Sequence, residues 1–346
     1  MSAPAPLATL GWSDAFADHL TPDDAALTPA RVAEVRRDHV VALTDPQAPA
    51  AAYALPRDLP AGDVAVGDWV LTDGVRVIRL VPRQSLLVRR ASGHEIRQQA
   101  IAANLDTLFV VTSCNADFSL PRLERSLALA YEAGIAPVVV LTKADLAEAA
   151  PFVEQATRAA RDLPVVALNA KAPDAAAQLE GWCGPGQTVA LIGMSGTGKS
   201  TLTNALCGTA QATGAVREED ARGRHTTTAR SLHRCRAGGW LVDTPGMREM
   251  GIMDSADGID TVFSDVTDLA ALCRFRDCAH EGEPGCAVQA AIAAGTLDPA
   301  RLERWRKLRA EDAQAVLAVE SGQRRGRGFG RRDSPANAAK RRKRKG

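Results

Sequence analysis

The feature that most constrains this chain is the order of three short segments. Gly193-Met194-Ser195-Gly196-Thr197-Gly198-Lys199-Ser200 is a complete Gly-x4-Gly-Lys-Ser phosphate loop. Asp243-Thr-Pro-Gly246 follows it, as a switch aspartate and glycine should. Thr142-Lys143-Ala144-Asp145, the segment suited to reading a guanine base, comes before the phosphate loop rather than after the switches. A GTP-binding sheet assembled in that order is circularly permuted. Whatever follows Gly246 is then tied directly to a nucleotide-sensing switch.

Each segment has a matching context. Gln187–Ile192 is an apolar run suited to a buried strand, and Ser200–Leu206, with Thr201 at its start, suits the opening of a helix. Glycines at 193, 196 and 198 let backbone N–H groups converge on phosphate oxygens. Lys199 is expected to reach the β- and γ-phosphates and support catalysis, and the Ser200 hydroxyl to ligate Mg²⁺. Pro137–Leu141 is a strand-like run that delivers Thr142–Asp145 to a sheet edge. An ionised Asp145 accepts two hydrogen bonds from guanine, whereas adenine would leave it unpaired. The Lys143 stem can lie along the base or the loop. Thr142 stands where most GTPases have Asn, and its hydroxyl lacks an amide's separate donor and acceptor. Asn169-Ala170-Lys171, after the strand-like Val165–Leu168, is the candidate loop over the base.

With 346 residues, the chain suggests two or three domains. It is 46% hydrophobic but 4% aromatic, so its cores must be mostly aliphatic. Residues 1–28 read as a flexible leader. Residues 29–98 read as short strands forming a small β-barrel, with Asp73-Gly74 between alternating runs as a hairpin signal. Residues 99–252 alternate strands and helices, the pattern of a mostly parallel α/β sheet. Residues 253–321 form the next unit, with a helix from Asp298 through Glu320. No apolar run approaches the ~20 residues needed to span a membrane. The first residues lack a basic region followed by an apolar stretch, so a cytoplasmic location is expected.

Seven cysteines, odd in number and unevenly spread, argue against a disulfide framework. Three of them fall in Cys273-x4-Cys278-x-His280-x5-Cys286. Three thiols and an imidazole at this spacing match the four ligands of a closed, structural zinc site. Charge is equally localised. Residues 322–346 carry eleven basic and one acidic side chain, net +10, while the rest of the chain carries 31 and 40, net −9. Such a tail cannot form a core, is expected to be disordered, and points to a nucleic-acid partner.

The ordered set of these motifs, together with Gly223-Arg-His-Thr-Thr-Thr228, resembles the RsgA family, also called YjeQ, over about residues 29–320. The resemblance implies an α/β fold: a circularly permuted P-loop GTPase domain, an N-terminal OB-like β-barrel and a C-terminal α-helical zinc-binding domain. It implies a GTPase that binds rRNA and acts late in small-ribosomal-subunit maturation, coupling hydrolysis to its release. One structural Zn²⁺, Mg²⁺ with GTP, and a monomer complete the expectation. Met247 occupies the place after the switch glycine, where many GTPases carry a water-orienting Gln. His225 is therefore the candidate for that task, with RNA contact as its alternative. One of Thr226, Thr227 and Thr228 should join Mg²⁺. Two other readings stay open at this level: an ATP-dependent enzyme, since the phosphate loop alone does not choose a base, and an RNA-binding factor that senses nucleotide without turnover.

Overall fold

The structure is a computed structural model that describes residues 5–90, 98–208, 230–243 and 255–329. Two short helices, α1 (Ala5–Thr9) and α2 (Asp14–Ala17), precede a five-stranded antiparallel sheet. Its strands are β1 (Thr28–Val35), β2 (His39–Leu43), β3 (Ala51–Ala54), β4 (Trp69–Thr72) and β5 (Val77–Leu80), in the spatial order β3-β2-β1-β4-β5. A parallel bridge between Ala54 and Arg76 brings the two edges together. Alternate residues turn inward, including Ala30, Val32, Val40, Ala42, Val70 and Val77, and make an aliphatic interior. The hairpin expected at Asp73-Gly74 joins β4 to β5, with the Asp73 carboxylate accepting the N–H groups of Val75 and Arg76.

The expected structureless leader is not what the structure shows from residue 5 onward. Leu10, Trp12 and Phe16 are buried against Trp69, Leu71, Val81 and Trp240. Trp12 meets Trp69 edge-on at 4.8 Å between ring centroids. The leader's apolar residues are too few to show a period, yet three large side chains suffice to dock it. The Trp240 indole N–H donates to the Thr9 carbonyl, and the buried Arg31 guanidinium donates to the carbonyls of Leu10 and Asn104 and to the Thr188 hydroxyl.

The division expected at residue 98 also shifts. β6 (Leu86–Arg90) and β7 (Gln98–Ala103) form a separate two-stranded ribbon. Its Leu87 and Ile101 pack with Leu108 and Leu127 of the next unit rather than in the β1–β5 interior. Nothing local in residues 86–103 indicates which core receives this ribbon.

The central sheet contains β8 (Thr107–Ser113), β9 (Ala136–Thr142), β10 (Val165–Ala167), β11 (Thr188–Ile192), β12 (Ser231–Arg234) and β13 (Trp240–Asp243). Its order is β10-β9-β8-β11-β13-β12, parallel except for the edge strand β12. Helices α3 (Leu120–Glu132) and α4 (Ala150–Thr157) lie against one face. Helix α5 (Lys199–Cys207) and the 3-10 turn Ala177–Trp182 lie against the other. Strands covered on both faces read as continuous apolar runs, which is why these were visible in sequence.

Helices α6 (Ala256–Val262), α7 (Ser264–Ala270), α8 (Ala287–Ala293) and α9 (Pro299–Phe329) complete the chain. They do not form a separate body. Ile259, Val262, Phe263, Val266, Val288 and Leu302 share one core with Leu123 and Leu127 of α3. Gly258 allows the closest approach, since a Cβ there would lie 2.1 Å from the Ala128 carbonyl oxygen. Glu124 of α3, 1% exposed, accepts from Arg301 at 2.7 Å and from Arg304 at 3.0 Å. Helix α9 runs on to Phe329, past the expected limit of 321, although Gly322, Gly326 and Gly328 disfavour helix there. Among the described residues, no helix is long and apolar enough to cross a membrane.

Candidate active site and metal centre

The strand order of the central sheet reverses between β8 and β11. The chain runs β8 to β9 to β10 in one direction, then returns to place β11 on the other side of β8. Ligands of open α/β sheets bind at the carboxyl ends of strands at such a reversal. The phosphate loop leaves β11 at this point. Gly193 has φ +144°, and a Cβ on it would lie 2.1 Å from the Val111 carbonyl oxygen, so only glycine passes the end of β8. Gly198 at φ +92° caps α5, whose first residue is Lys199. The N-terminal N–H groups of α5 and the loop N–H groups thus form one anion-binding cradle.

Within the cradle, the Lys199 ammonium donates to the carbonyls of Gly193 at 2.7 Å and Met194 at 2.5 Å, which holds its charge over the loop. The Thr197 hydroxyl donates to the Met194 carbonyl at 2.9 Å and closes the turn. Ser195, Gly196 and Ser200 are exposed, Thr201 is half-buried, and Leu202 and Leu206 anchor α5 beneath them.

The base-reading candidates arrive on the neighbouring strands. Thr142 ends β9, opposite Ser113 of β8, and is buried. Its hydroxyl lies 2.7 Å from the Thr197 carbonyl and 3.1 Å from that of Thr112. Lys143 takes φ +59°, turning the chain so that Asp145 emerges exposed. The Ala144 N–H donates to the Leu168 carbonyl at 3.3 Å, drawing the loop after β10 alongside. There the Asn169 side chain accepts the Lys171 N–H at 2.9 Å, Ala170 is buried and Lys171 is exposed. On the far side of the loop, β13 pairs in register with β11 and ends at Asp243. Gly246, His225 and Thr226–Thr228 lie outside the described residues. Sequence reading gave no role to the turn Ser113–Asp117, which the structure sets between the base-reading segment and the phosphate loop. Its signal is strand order, and strand order is not local.

The four remaining candidates converge as a second site. The ligand atoms of Cys273, Cys278, His280 and Cys286 all lie within 4.8 Å of one another. His280 Nδ1 is 3.6 Å from Cys273 Sγ and 3.4 Å from Cys286 Sγ, and those two sulfurs are 3.9 Å apart. All four are free of disulfide bonds or carry an imidazole, and this donor set fits a soft or borderline metal ion. His280 is buried at φ +60°, with its carbonyl accepting from Gln289. Burial, and after it the Arg306 guanidinium, lower its pKa and keep the imidazole neutral. The Glu283 carboxylate accepts the N–H groups of Ala279, Glu281 and Gly282 and holds the loop in shape.

Comparison with known proteins places the chain in a family. The model of the RsgA GTPase family matches residues 80–253. The protein called small ribosomal subunit biogenesis GTPase RsgA from Mesorhizobium japonicum is 54% identical, over 97% of this chain and 96% of its own length. Its namesake from Xanthomonas euvesicatoria is 47% identical, over 98% and 95%. Among solved structures, YjeQ from Thermotoga maritima matches with TM-score 0.59 and 23% identity, over 82% of this chain and 97% of that one. YloQ, described as a circularly permuted GTPase, matches with TM-score 0.60 and 19% identity, over 85% and 98%. These two share the fold, permuted order included. The phosphate loop at the strand reversal, the displaced Thr142–Asp145 segment and the near full-length identity lead to one conclusion: the chain belongs to the RsgA GTPase family and is a GTP-hydrolysing enzyme.

Proposed function

We propose that this GTPase is a late maturation factor of the small ribosomal subunit, binding rRNA and coupling GTP hydrolysis to its own release. The observation that carries the nucleotide half is the meeting of the phosphate loop and Thr142–Asp145 at the strand reversal between β8 and β11. The ribosomal half rests on relatives of that name matching nearly the whole chain. A net charge of +10 on the last 25 residues supports an RNA partner.

In this reading Asp145 selects guanine, Lys143 and Asn169–Lys171 flank the base, and residues 193–201 hold the phosphates. Mg²⁺ supplies charge neutralisation at the β- and γ-phosphates when bound, with Ser200 and one of Thr226–Thr228 as ligands. Asp243 and Gly246 respond to the γ-phosphate, Lys199 offsets developing charge, and His225 orients water. The second site holds one structural Zn²⁺. A tetrahedron with Zn–S of ~2.3 Å and Zn–N of ~2.0 Å has S···S edges of about 3.8 Å and S···N edges of about 3.5 Å. The separations of 3.9, 3.6 and 3.4 Å among Cys273, His280 and Cys286 are close to these edges, and all four ligand atoms lie within 4.8 Å of one another. The antiparallel β1–β5 sheet, with its edges meeting at Ala54 and Arg76, supports an OB-like barrel as a further RNA platform. A cytoplasmic monomer is in keeping with this task.

Hydrolysis of GTP and ATP, each with and without small ribosomal subunits, tests the proposal. Subunit-stimulated turnover of GTP alone is expected. GTP turnover indifferent to subunits would leave the enzyme standing and remove the ribosomal reading.

A further inference from the structure

Phe275 is the one exposed aromatic among the described side chains, at 42% exposure. It sits in the six-residue arch Cys273–Cys278, beside Leu272, which is 73% exposed. The sequence of the arch interior is Arg274-Phe275-Arg276-Asp277, and all four residues are exposed. The Arg274 guanidinium lies 5.4 Å from the Phe275 ring centroid. The arch is tightly held. Two of the four clustered ligand residues, Cys273 and Cys278, end it. The Arg274 N–H donates to the Gly285 carbonyl at 3.1 Å, and the Cys278 N–H donates to the Phe275 carbonyl at 3.4 Å.

A chain with 4% aromatic residues has little reason to leave a phenyl ring in water at a fixed point of its surface. Two guanidinium groups flank the ring, against one carboxylate within the arch. An aromatic face with adjacent arginines on a rigid loop is the combination that captures an unpaired nucleobase: the ring stacks, and the arginines reach the phosphates on either side. A protein partner would be recognised by a larger continuous apolar surface than Leu272 and Phe275 provide.

We infer that the arch Arg274-Phe275-Arg276 is a stacking platform for an unpaired base of single-stranded RNA. This rests on the reading that the partner is ribosomal RNA, and it adds the contact residue and the structural class of RNA. The metal ligands serve the platform by fixing both ends of the arch, so that little conformational entropy is lost on binding.

The test uses full-length, metal-loaded protein, a fluorescent single-stranded oligoribonucleotide, and purified small subunits. Phe275→Ala should weaken oligonucleotide binding about 5- to 150-fold, by the same factor at every salt concentration, since stacking releases no counterions. Phe275→Trp should restore it. Arg274→Ala and Arg276→Ala should each lower the salt slope by about 0.7. Metal content and subunit-free GTP turnover should stay at the wild-type level in all four variants, which separates lost contact from lost folding. Wild-type affinity in Phe275→Ala would overturn the inference. So would a Phe275→Ala variant that keeps oligonucleotide binding but loses subunit binding, because the arch would then dock on a ribosomal protein. Failure of the wild-type protein to bind subunits would instead remove the ribosomal reading itself.

Discussion

The Thr142 hydroxyl sits 2.7 Å from the Thr197 carbonyl oxygen, joining the base-reading segment to the phosphate loop across a buried hydrogen bond. The hydroxyl has one proton and two carbonyl neighbours, Thr197 and Thr112. It therefore performs the local bonding for which an asparagine amide would serve, from a smaller side chain that lies 3.6 Å from where a Cβ on Gly198 would stand. Thr142→Val keeps the branched shape and removes the donor. The carbonyl left unpaired should cost about 1–3 kcal/mol, shared between stability and nucleotide affinity. Titration with fluorescent GTP and GDP should show both weakened by similar factors, because both nucleotides use the same loop. Unchanged affinity for both, with an unchanged melting temperature, would show the bond to be incidental.

The proposed reading rests base choice on Asp145, which lies exposed just past the end of β9. Asp145→Asn should lose GTP affinity and gain affinity for a xanthine nucleotide, whose second carbonyl suits an amide donor. Competition between GTP and xanthosine triphosphate reads this directly. A variant that binds GTP as well as wild type would contradict the assignment.

Chemistry and binding should separate between two variants. Lys199→Ala removes a phosphate contact and charge stabilisation, and should lower turnover about 10²- to 10³-fold. His225→Ala should spare nucleotide affinity and depress subunit-stimulated turnover. If His225→Ala lowered affinity while leaving turnover per bound GTP intact, water orientation would have to come from another group.

Metal analysis should find about one Zn²⁺ per chain, falling in Cys278→Ser and on chelation. Loss of metal should also loosen α8 and α9, since Cys286 caps α8 and His280 packs on Trp305 with ring centroids 5.8 Å apart. Hydrogen exchange resolves this. Protection of α8 and α9 unchanged by chelation would refute a structural role.

The placement of α6–α9 alters what a nucleotide switch can move. From the sequence, the zinc-binding segment hangs on Gly246 with fewer than thirty residues of slack, and GTP is expected to reorient it. The structure ties the same segment to α3. Arg301 bonds Glu124 and Asp265 and stacks 4.1 Å over Phe263, and the buried Asp312 accepts the Ser255 N–H. Reorientation must therefore carry α3 or break a buried ion network. Glu124→Gln should destabilise the protein by about 3–5 kcal/mol by leaving two arginines undercompensated. Subunit affinity in the wild type should differ between GTP and GDP, and linkage requires bound subunits to favour the same nucleotide. Removing residues 330–346, which spares α9, should flatten the salt dependence of subunit binding and leave the GTP-to-GDP ratio nearly intact. Equal affinity of the intact protein in both nucleotide states would defeat the switch.

The parts of this protein legible in its sequence are those whose physics is local. A phosphate loop needs glycines at fixed offsets before a helix. A tetrahedral metal centre needs four donors within a short span. A strand buried on both faces needs a continuous apolar run, and Pro137–Leu141, Gln187–Ile192 and Trp240–Asp243 each mark one within two residues. The order of these motifs was enough to imply a permuted sheet.

What the sequence left undecided depends on partners far along the chain. Leu10, Trp12 and Phe16 show no period, so only the presence of Trp69 and Trp240 turns a leader into a docked element. Leu87 and Ile101 could serve either of two cores, and packing assigns them to the second. Glu124, Arg301 and Arg304 are ordinary charges on a linear reading, and become a buried clamp only when α3 meets α9, some 177 residues apart. Thr142 differs from an asparagine by composition alone until the fold sets it against Thr197. Local motifs determined the chemistry available to this chain. The tertiary structure decided which elements share a core, because burial and charge pairing depend on contacts that sequence separation does not reveal.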